Sequence, residues 1–249
     1  YIRQNLRVIP CIKLMHKKVY FIFYFLIAAI ATAQFHEIGI FLGGSNYIGD
    51  VGTDRYLDPN ELAYGIVYKW NVTDRYSFRG GITFAKLREN EFNNRDINRF
   101  RRSYKVENRI QEFAGGIEIN FKKFNLHDPK TSFTPYVFYG LSYFRFDQFY
   151  ISPNGPTVPP TYNNFGKDEE LAIPLILGIK INPNPFFVLS FEIGTRYTLT
   201  DNLDGSNPQN QFAGNLNYKF GNVANNDWYI FTGITISFTF GDLPCYCKE

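Results

Sequence analysis

Cysteine, methionine, histidine and tryptophan are all scarce in this chain of 249 residues, which holds three, one, three and two of them. With so few sulfur and imidazole ligands, and no H-E-x-x-H or C-x-x-C spacing, no zinc-site pattern is present. A charge excess is missing too. Lys and Arg number 26 against 23 Asp and Glu, a net charge of +3, without the basic surplus that a polyanion-binding face needs. No apolar run reaches the roughly 20 residues of a membrane-spanning helix. The longest, Val19 to Ala31, has 13. What is abundant is aromatic: 26 Phe and 18 Tyr, in a chain that is 45% hydrophobic, exclude an intrinsically disordered polymer.

The apolar run has a specific setting. Met15 is followed by His16-Lys17-Lys18, then the run itself, then Ala31-Thr32-Ala33 before Gln34. A basic start, a short apolar core and an A-x-A site read as a secretory signal peptide cleaved after Ala33, with residues 1–14 upstream of the start. Removing 1–33 takes away Arg3, Arg7, Lys13, Lys17 and Lys18 and no acid, so 21 bases and 23 acids remain. The residue directly after the cleavage site is Gln34 and not cysteine, so no lipid anchor is expected.

From Gln34 onward the hydrophobic period is two, the mark of strands with unlike faces. Near the C-terminus, Trp228, Ile230, Ile234, Ile236, Phe238 and Phe240 share one face, with Gly233, Thr235, Ser237 and Thr239 on the other. Eight such segments are expected at 36–46, 61–70, 76–88, 109–121, 135–147, 170–181, 186–200 and 227–240. These exceed the usual strand of about five or six residues and match the roughly 9–11 tilted residues that cross a bilayer in a barrel. The links after strands two and six are short and those after three, five and seven are long and polar, whereas 122–134 is a longer turn on the short-link side. The expected fold is therefore an all-β, eight-stranded antiparallel outer-membrane barrel over 34–241, short turns in the periplasm, with a tail at 242–249. Tyr68, Trp70, Tyr76 and Trp228 fall near strand ends, where an aromatic girdle belongs.

If the apolar face meets lipid, the alternate face points inward and includes Glu37, Lys69, Arg79, Glu112, Glu118, Lys180, Glu192 and Arg196. Four acids and four bases in so narrow a space predict a self-paired ionic interior in place of a pore. Glu37 and Lys180 are expected in water at the barrel ends. No catalytic constellation emerges, because His36 and His127 both fall on the periplasmic side, away from any serine they could activate. No cofactor is expected. Asp201 and Asp204 in the last loop could bind calcium, although such residues are ordinarily solvated. In the tail, Cys245-Tyr246-Cys247 lies on the oxidising periplasmic side. The pair could close a tight loop on itself or bond a partner protein, and a covalent or docking handle is the expectation.

Segments along 36–240 resemble the PorG family. They are Glu37-Ile38-Gly39-Ile40-Phe41-Leu42-Gly43-Gly44-Ser45-Asn46-Tyr47-Ile48-Gly49-Asp50, Thr134-Pro135-Tyr136-Val137-Phe138-Tyr139-Gly140 and Glu192-Ile193-Gly194-Thr195-Arg196-Tyr197-Thr198-Leu199-Thr200-Asp201-Asn202-Leu203-Asp204. Two shorter ones, Ile173-Pro174-Leu175 and Asn226-Asp227-Trp228-Tyr229, agree in order. The resemblance implies an outer-membrane barrel of the type IX secretion system of Bacteroidota, set beside a periplasmic ring of the lipoprotein PorK and its partner PorN. The sequence departs from the family pattern at Gly205-Ser206-Asn207-Pro208 and in a basic loop with Arg99, Arg101 and Arg102.

Two functions follow as expectations. One is a non-enzymatic scaffold supporting protein export, with partner contacts through 122–134 and the tail. The other is a small adhesin working through the long loops, where Arg99, Arg101 and Arg102 would meet glycan or lipopolysaccharide.

Overall fold

The computed structural model describes residues 35–52, 55, 57–92, 96–126, 130–152, 160–222 and 225–241. Its strands are β1 Phe35–Ile48, β2 Glu61–Asn71, β3 Tyr76–Asn90, β4 Lys105–Asn120, β5 Ser132–Ser152, β6 Thr161–Asn184, β7 Phe187–Thr198 and β8 Trp228–Phe240. Each pairs antiparallel with its neighbour in sequence and β8 returns to β1, so the sheet closes into a barrel. All eight expected strands are present. The expected signal peptide and tail, with Cys245 and Cys247, lie outside the described residues, as do His127 and 153–159.

Alternation decides the two faces. Along β2 the burial pattern switches residue by residue, and along β1 and β8 Ile38, Ile40, Leu42, Ile234, Ile236 and Phe238 are 46–59% exposed on the outside. A belt of this kind would be costly in water and is stable only against hydrocarbon. The outward belt and the polar inward positions make this an outer-membrane-type barrel.

The largest departure from the expected spans is in β5 and β6, which run for 21 and 24 residues. Their upper halves contain Gly166, Lys167, Asp168 and Glu169, which read as loop because they are polar, yet they pair with Gln148 through Arg145 as a ribbon. In β3 to β6 the outward face changes from apolar to charged at a single level, along the register Phe84, Gln111, Arg145, Glu169. Above that level the sheet forks. The β3–β4 ladder continues to Asn90 and Lys105 and the β5–β6 ladder to Ser152 and Thr161, whereas β4 and β5 pair only as far as Gln111 and Arg145.

A close backbone approach supports the shared wall lower down. Gly116 of β4 and Gly140 of β5 are register partners, and a Cβ on either would overlap a carbonyl of the other strand. Both positions need glycine.

The two ends differ. At the end with short links, Phe124 and Leu126 of the β4–β5 connection fold back under the barrel and pack on Val188, and the Phe124 amide donates to the Asp74 carbonyl at 3.0 Å. At the other end a short helix, α1 Ile97–Arg102, is capped by Asp96, whose side chain accepts from the Asn98 amide at 2.8 Å. The segment 201–206 folds into the mouth, where Leu203 joins the core of Phe41, Tyr47, Ile110, Phe144 and Phe146.

The interior is thereby filled from end to end: Lys69, Tyr136, Phe138, Phe144, Tyr229 and Phe231 are all buried. Purified protein reconstituted in a planar bilayer is expected to show no steady, large single-channel conductance, and recording one would contradict a filled interior.

Candidate functional site

The inward charges come together in layers. Nearest the short-link end, Glu118 of β4 receives three cations, with Lys180 Nζ at 2.5 Å, Lys69 Nζ at 3.0 Å and Arg79 Nη1 at 3.4 Å. Arg79 reaches a second carboxylate as well, forking onto Glu192 at 2.7 and 2.9 Å, where the Tyr136 hydroxyl also donates at 2.6 Å. Nearer the mouth, Arg196 forks onto Glu112 at 3.2 and 3.3 Å, and Tyr229 donates to the same carboxylate at 2.6 Å. Aromatic faces complete the cation shells. Arg196 lies over Phe231 at 4.2 Å, Arg79 over Phe138 at 5.2 Å and Lys180 over Phe124 at 4.9 Å.

Seven of the eight inward candidates therefore sit in direct ion pairs. The eighth, Glu37, accepts from Asn71 at 2.8 Å, and Asn71 in turn accepts from Ser77 at 2.6 Å. Glu37 and Lys180 are not in water at the ends, as the sequence suggested, but 0% and 1% exposed. The reason is the fold-back of 122–126, which roofs over that end. Tyr136 and Tyr229 complete the network. The parity of β8 places Tyr229 inward with Gly233 and Thr235, but in β5 both faces are aromatic and the pattern does not mark Tyr136.

The mouth holds a second polar cluster. The Tyr47 hydroxyl donates to Asp227, the Leu203 amide donates to the other Asp227 oxygen at 2.9 Å, and the Val51 and Ser206 amides donate to Asp204 at 3.0 and 2.8 Å. Asn207 donates to Asp201 at 3.3 Å. Asn108 ties this cluster to the fork. Its amide group donates to the Asp147 and Leu203 carbonyls, and its oxygen accepts from the Asp147 and Arg109 amides, so one side chain replaces a missing ladder step. As for calcium at Asp201 and Asp204, no group of three or more His, Cys, Asp or Glu among the described residues is arranged to hold a metal ion. Asp204 instead holds the Val51 and Ser206 backbone amides, and Asp201 holds the Asn207 side chain.

Burial pushes the Asp201 carboxyl up to about 7, helped by Asp204 and Asp50 and opposed by Asn207 and Lys219. Asp204 and Asp227 are raised first by burial as well.

The basic loop does not present three free arginines. Arg102 forks onto buried Glu91, its Nε at 3.0 Å, between the rings of Tyr104 and Phe220. Arg99 donates to the Gly52 carbonyl at 3.2 Å, and Arg101 alone of the three is exposed. His36 bonds the Tyr68 hydroxyl through Nδ1 at 2.7 Å and stacks on Phe240.

A family model described as Domain of unknown function (DUF6089) matches residues 16–249. The chain belongs to that family. No curated protein sequence matches this DUF6089 barrel significantly. Among solved structures, Ail of Yersinia pestis in complex with the heparin analogue sucrose octasulfate is similar over 84% of this chain and 100% of its own, at 12% identity and a TM-score of 0.42. Neisserial surface protein A covers 84% of this chain with 98% of its own, at 10% identity and a TM-score of 0.42. OprG, an outer membrane protein of Pseudomonas aeruginosa, covers 85% with 97% of its own, at 9% identity and a TM-score of 0.38.

Two outcomes are expected of the DUF6089 barrel. Glu118→Ala strands Lys69 and Lys180 without a counter-charge and should lower stability by about 3–5 kcal/mol in urea titrations of the reconstituted barrel, whereas Arg145→Ala, at an exposed pair, should cost about 0–1 kcal/mol. Adding Lys180→Met to Glu118→Ala should recover part of the loss.

The second concerns pH. A carboxyl raised in the folded state stabilises the docked mouth segment below its unfolded pKa of about 4, and that contribution is lost as pH rises through the folded value. Hydrogen-exchange protection of the Leu203 and Ser206 amides, corrected for intrinsic rates, should therefore be lower at pH 8 than at pH 5, and Asp201→Asn should flatten the difference.

Proposed function

We propose that this barrel is a non-enzymatic outer-membrane scaffold of a type IX secretion system. Its short-link end and both termini face the periplasm, where it contacts a lipoprotein ring of the PorK/PorN kind. The observation that carries the reading is the paired ionic interior. A barrel filled by seven paired charges has no conduit, so it acts through its ends, and the resemblance to the PorG family names the machine.

The sequence offered 122–134 as a partner surface, and only part of it is available for one. Phe124 and Leu126 are buried beneath the barrel, leaving Lys122, Lys123 and Lys130 exposed. Those lysines are the proposed docking surface on the barrel, and separately Cys245 or Cys247 bonds the partner. The outer rim meets lipopolysaccharide.

A second reading, adhesion, has one observation in its favour. Tyr150, Phe165, Phe212 and Tyr218 stack together at the mouth end, with ring centroids 4.3–6.1 Å apart, beside Leu216 at 80% exposure. Half-buried rings beside an exposed aliphatic side chain suit a protein or glycan surface.

The two readings separate in cells. In a strain lacking the chain, Lys122→Glu/Lys123→Glu with Cys245→Ser/Cys247→Ser should fail to restore export of cargo carrying C-terminal sorting signals and should lose the reduction-sensitive complex with the lipoprotein. Leu216→Ser/Phe212→Ser should restore both. The reverse pattern favours adhesion. An epitope inserted at Gly214, where the surroundings are open, should be stained on intact cells, and staining only after permeabilisation would invert the proposed orientation.

A further inference from the structure

Above the level where the outward face turns charged, six bases stand on neighbouring strands: Lys86, Arg88, Lys105, Arg109, Arg145 and Lys167. The register makes them one patch. Lys86 is opposite Arg109, Arg145 is opposite Glu169, and Asp147 is opposite Lys167. Four of the six are held by acids. Lys86 meets Glu107 at 2.9 Å, Arg88 meets Glu61 at 3.0 Å, Arg145 meets Glu169 at 3.6 Å and Lys167 meets Asp147 at 3.8 Å. Exposed pairs of this kind are weak and exchange readily for a competing anion. Lys105 and Arg109 have no acidic partner within ion-pair distance among the described residues.

These two residues flank the fork. There β4 and β5 part, the Lys105 amide reaches across to the Tyr162 hydroxyl at 2.8 Å, and a cleft of about 400 Å³ opens, lined by Lys105, Glu107, Asp147, Phe149, Tyr162 and Asn164. Directly below lie apolar outward residues, among them Phe84, Phe113, Tyr143 and Leu171, at 40–59% exposure. Among the described residues the tops of β7 and β8 have no equivalent: the outward residues there are Tyr197, Leu199 and Trp228, and Ile230, expected on that face, is 2% exposed.

We infer that the fork between β4 and β5 is a seat for the phosphorylated headgroup of an outer-leaflet glycolipid, its phosphates on Lys105 and Arg109 with Lys86 and Arg145 beside them, and its acyl chains on the apolar band below. Position and charge together select this occupant. A phosphate anchored at the top of a hydrocarbon belt meets the patch at its own depth, and two cations not held in ion pairs are the ones most available to a dianionic group. Lys86 and Arg145 can turn from Glu107 and Glu169 to the phosphate. The inference rests on the proposed orientation, which the Gly214 epitope reports separately.

The test uses full-length protein reconstituted in phosphatidylcholine vesicles with or without bisphosphorylated lipid A, extracted and read by native mass spectrometry. Folding is checked in each sample by gel mobility without boiling. Wild type should carry lipid A, and K105E/R109E should retain at least tenfold less while keeping the folded band. Dephosphorylated lipid A should not be retained, and millimolar inorganic phosphate should not displace the lipid. Equal retention by K105E/R109E, equal retention of the dephosphorylated lipid, or displacement by inorganic phosphate would each overturn the site. If the epitope shows the mouth facing inward while lipid A is retained in vesicles, the orientation fails and the phosphate chemistry of the fork stands.

Discussion

Glu118 is where the barrel's constraints converge. Its carboxylate is fully buried and receives cations from β2, β3 and β6, and Arg79 passes the connection on to Glu192 of β7. A charge in that position is tolerable only if its partners arrive with it. Lys69 and Arg79 stand on β2 and β3, the two strands leading up to that of Glu118, but Lys180 of β6 and Glu192 of β7 reach this group from non-neighbouring strands and can meet it only when the sheet has curled into a barrel. Closure and charge pairing are therefore one event, and a partly closed barrel would leave several ions unpaired in a poorly hydrated space.

The same network explains why the barrel has two unlike ends and no lumen. Long side chains crossing from opposite walls use up the space that eight strands enclose. The fold-back of Phe124 and Leu126 covers the lower ions, and Leu203 with the Tyr47, Asp204 and Asp227 cluster covers the upper ones. With both ends covered, whatever the protein does happens on its rims and outer wall. The outer wall is uneven: the β3 to β6 side carries the tall charged ribbons and the fork, while the β7, β8, β1 and β2 side stays apolar.

Much of this was legible one strand at a time. Side chains alternate at 180° per residue in an extended chain, so Ile234, Ile236 and Phe238 against Thr235 and Ser237 identify a strand and its two faces with no knowledge of neighbours. Where alternation lacks contrast, legibility ends. In β5, Tyr136 and Phe138 face inward while Tyr139 and Tyr143 face out, and with aromatic residues on both faces nothing distinguishes them. In β6, Lys167, Asp168 and Glu169 look like loop because charge is read as solvent, although a ribbon standing above the membrane is solvated and still hydrogen-bonded as sheet. Arg102 looks like a surface cation until Glu91, Tyr104 and Phe220 are seen around it.

The amino-acid order by itself determined the number of strands, the belt that meets lipid and, outside β5, the residues that point inward, because each of these follows from a local two-residue period. Only the tertiary structure decided which inward charges meet, that Glu37 and Lys180 are roofed over, and that Asn108 holds a fork at the rim. Those outcomes depend on register and stagger between strands and on loops folding back across an end, distances through space that no periodicity along the chain encodes.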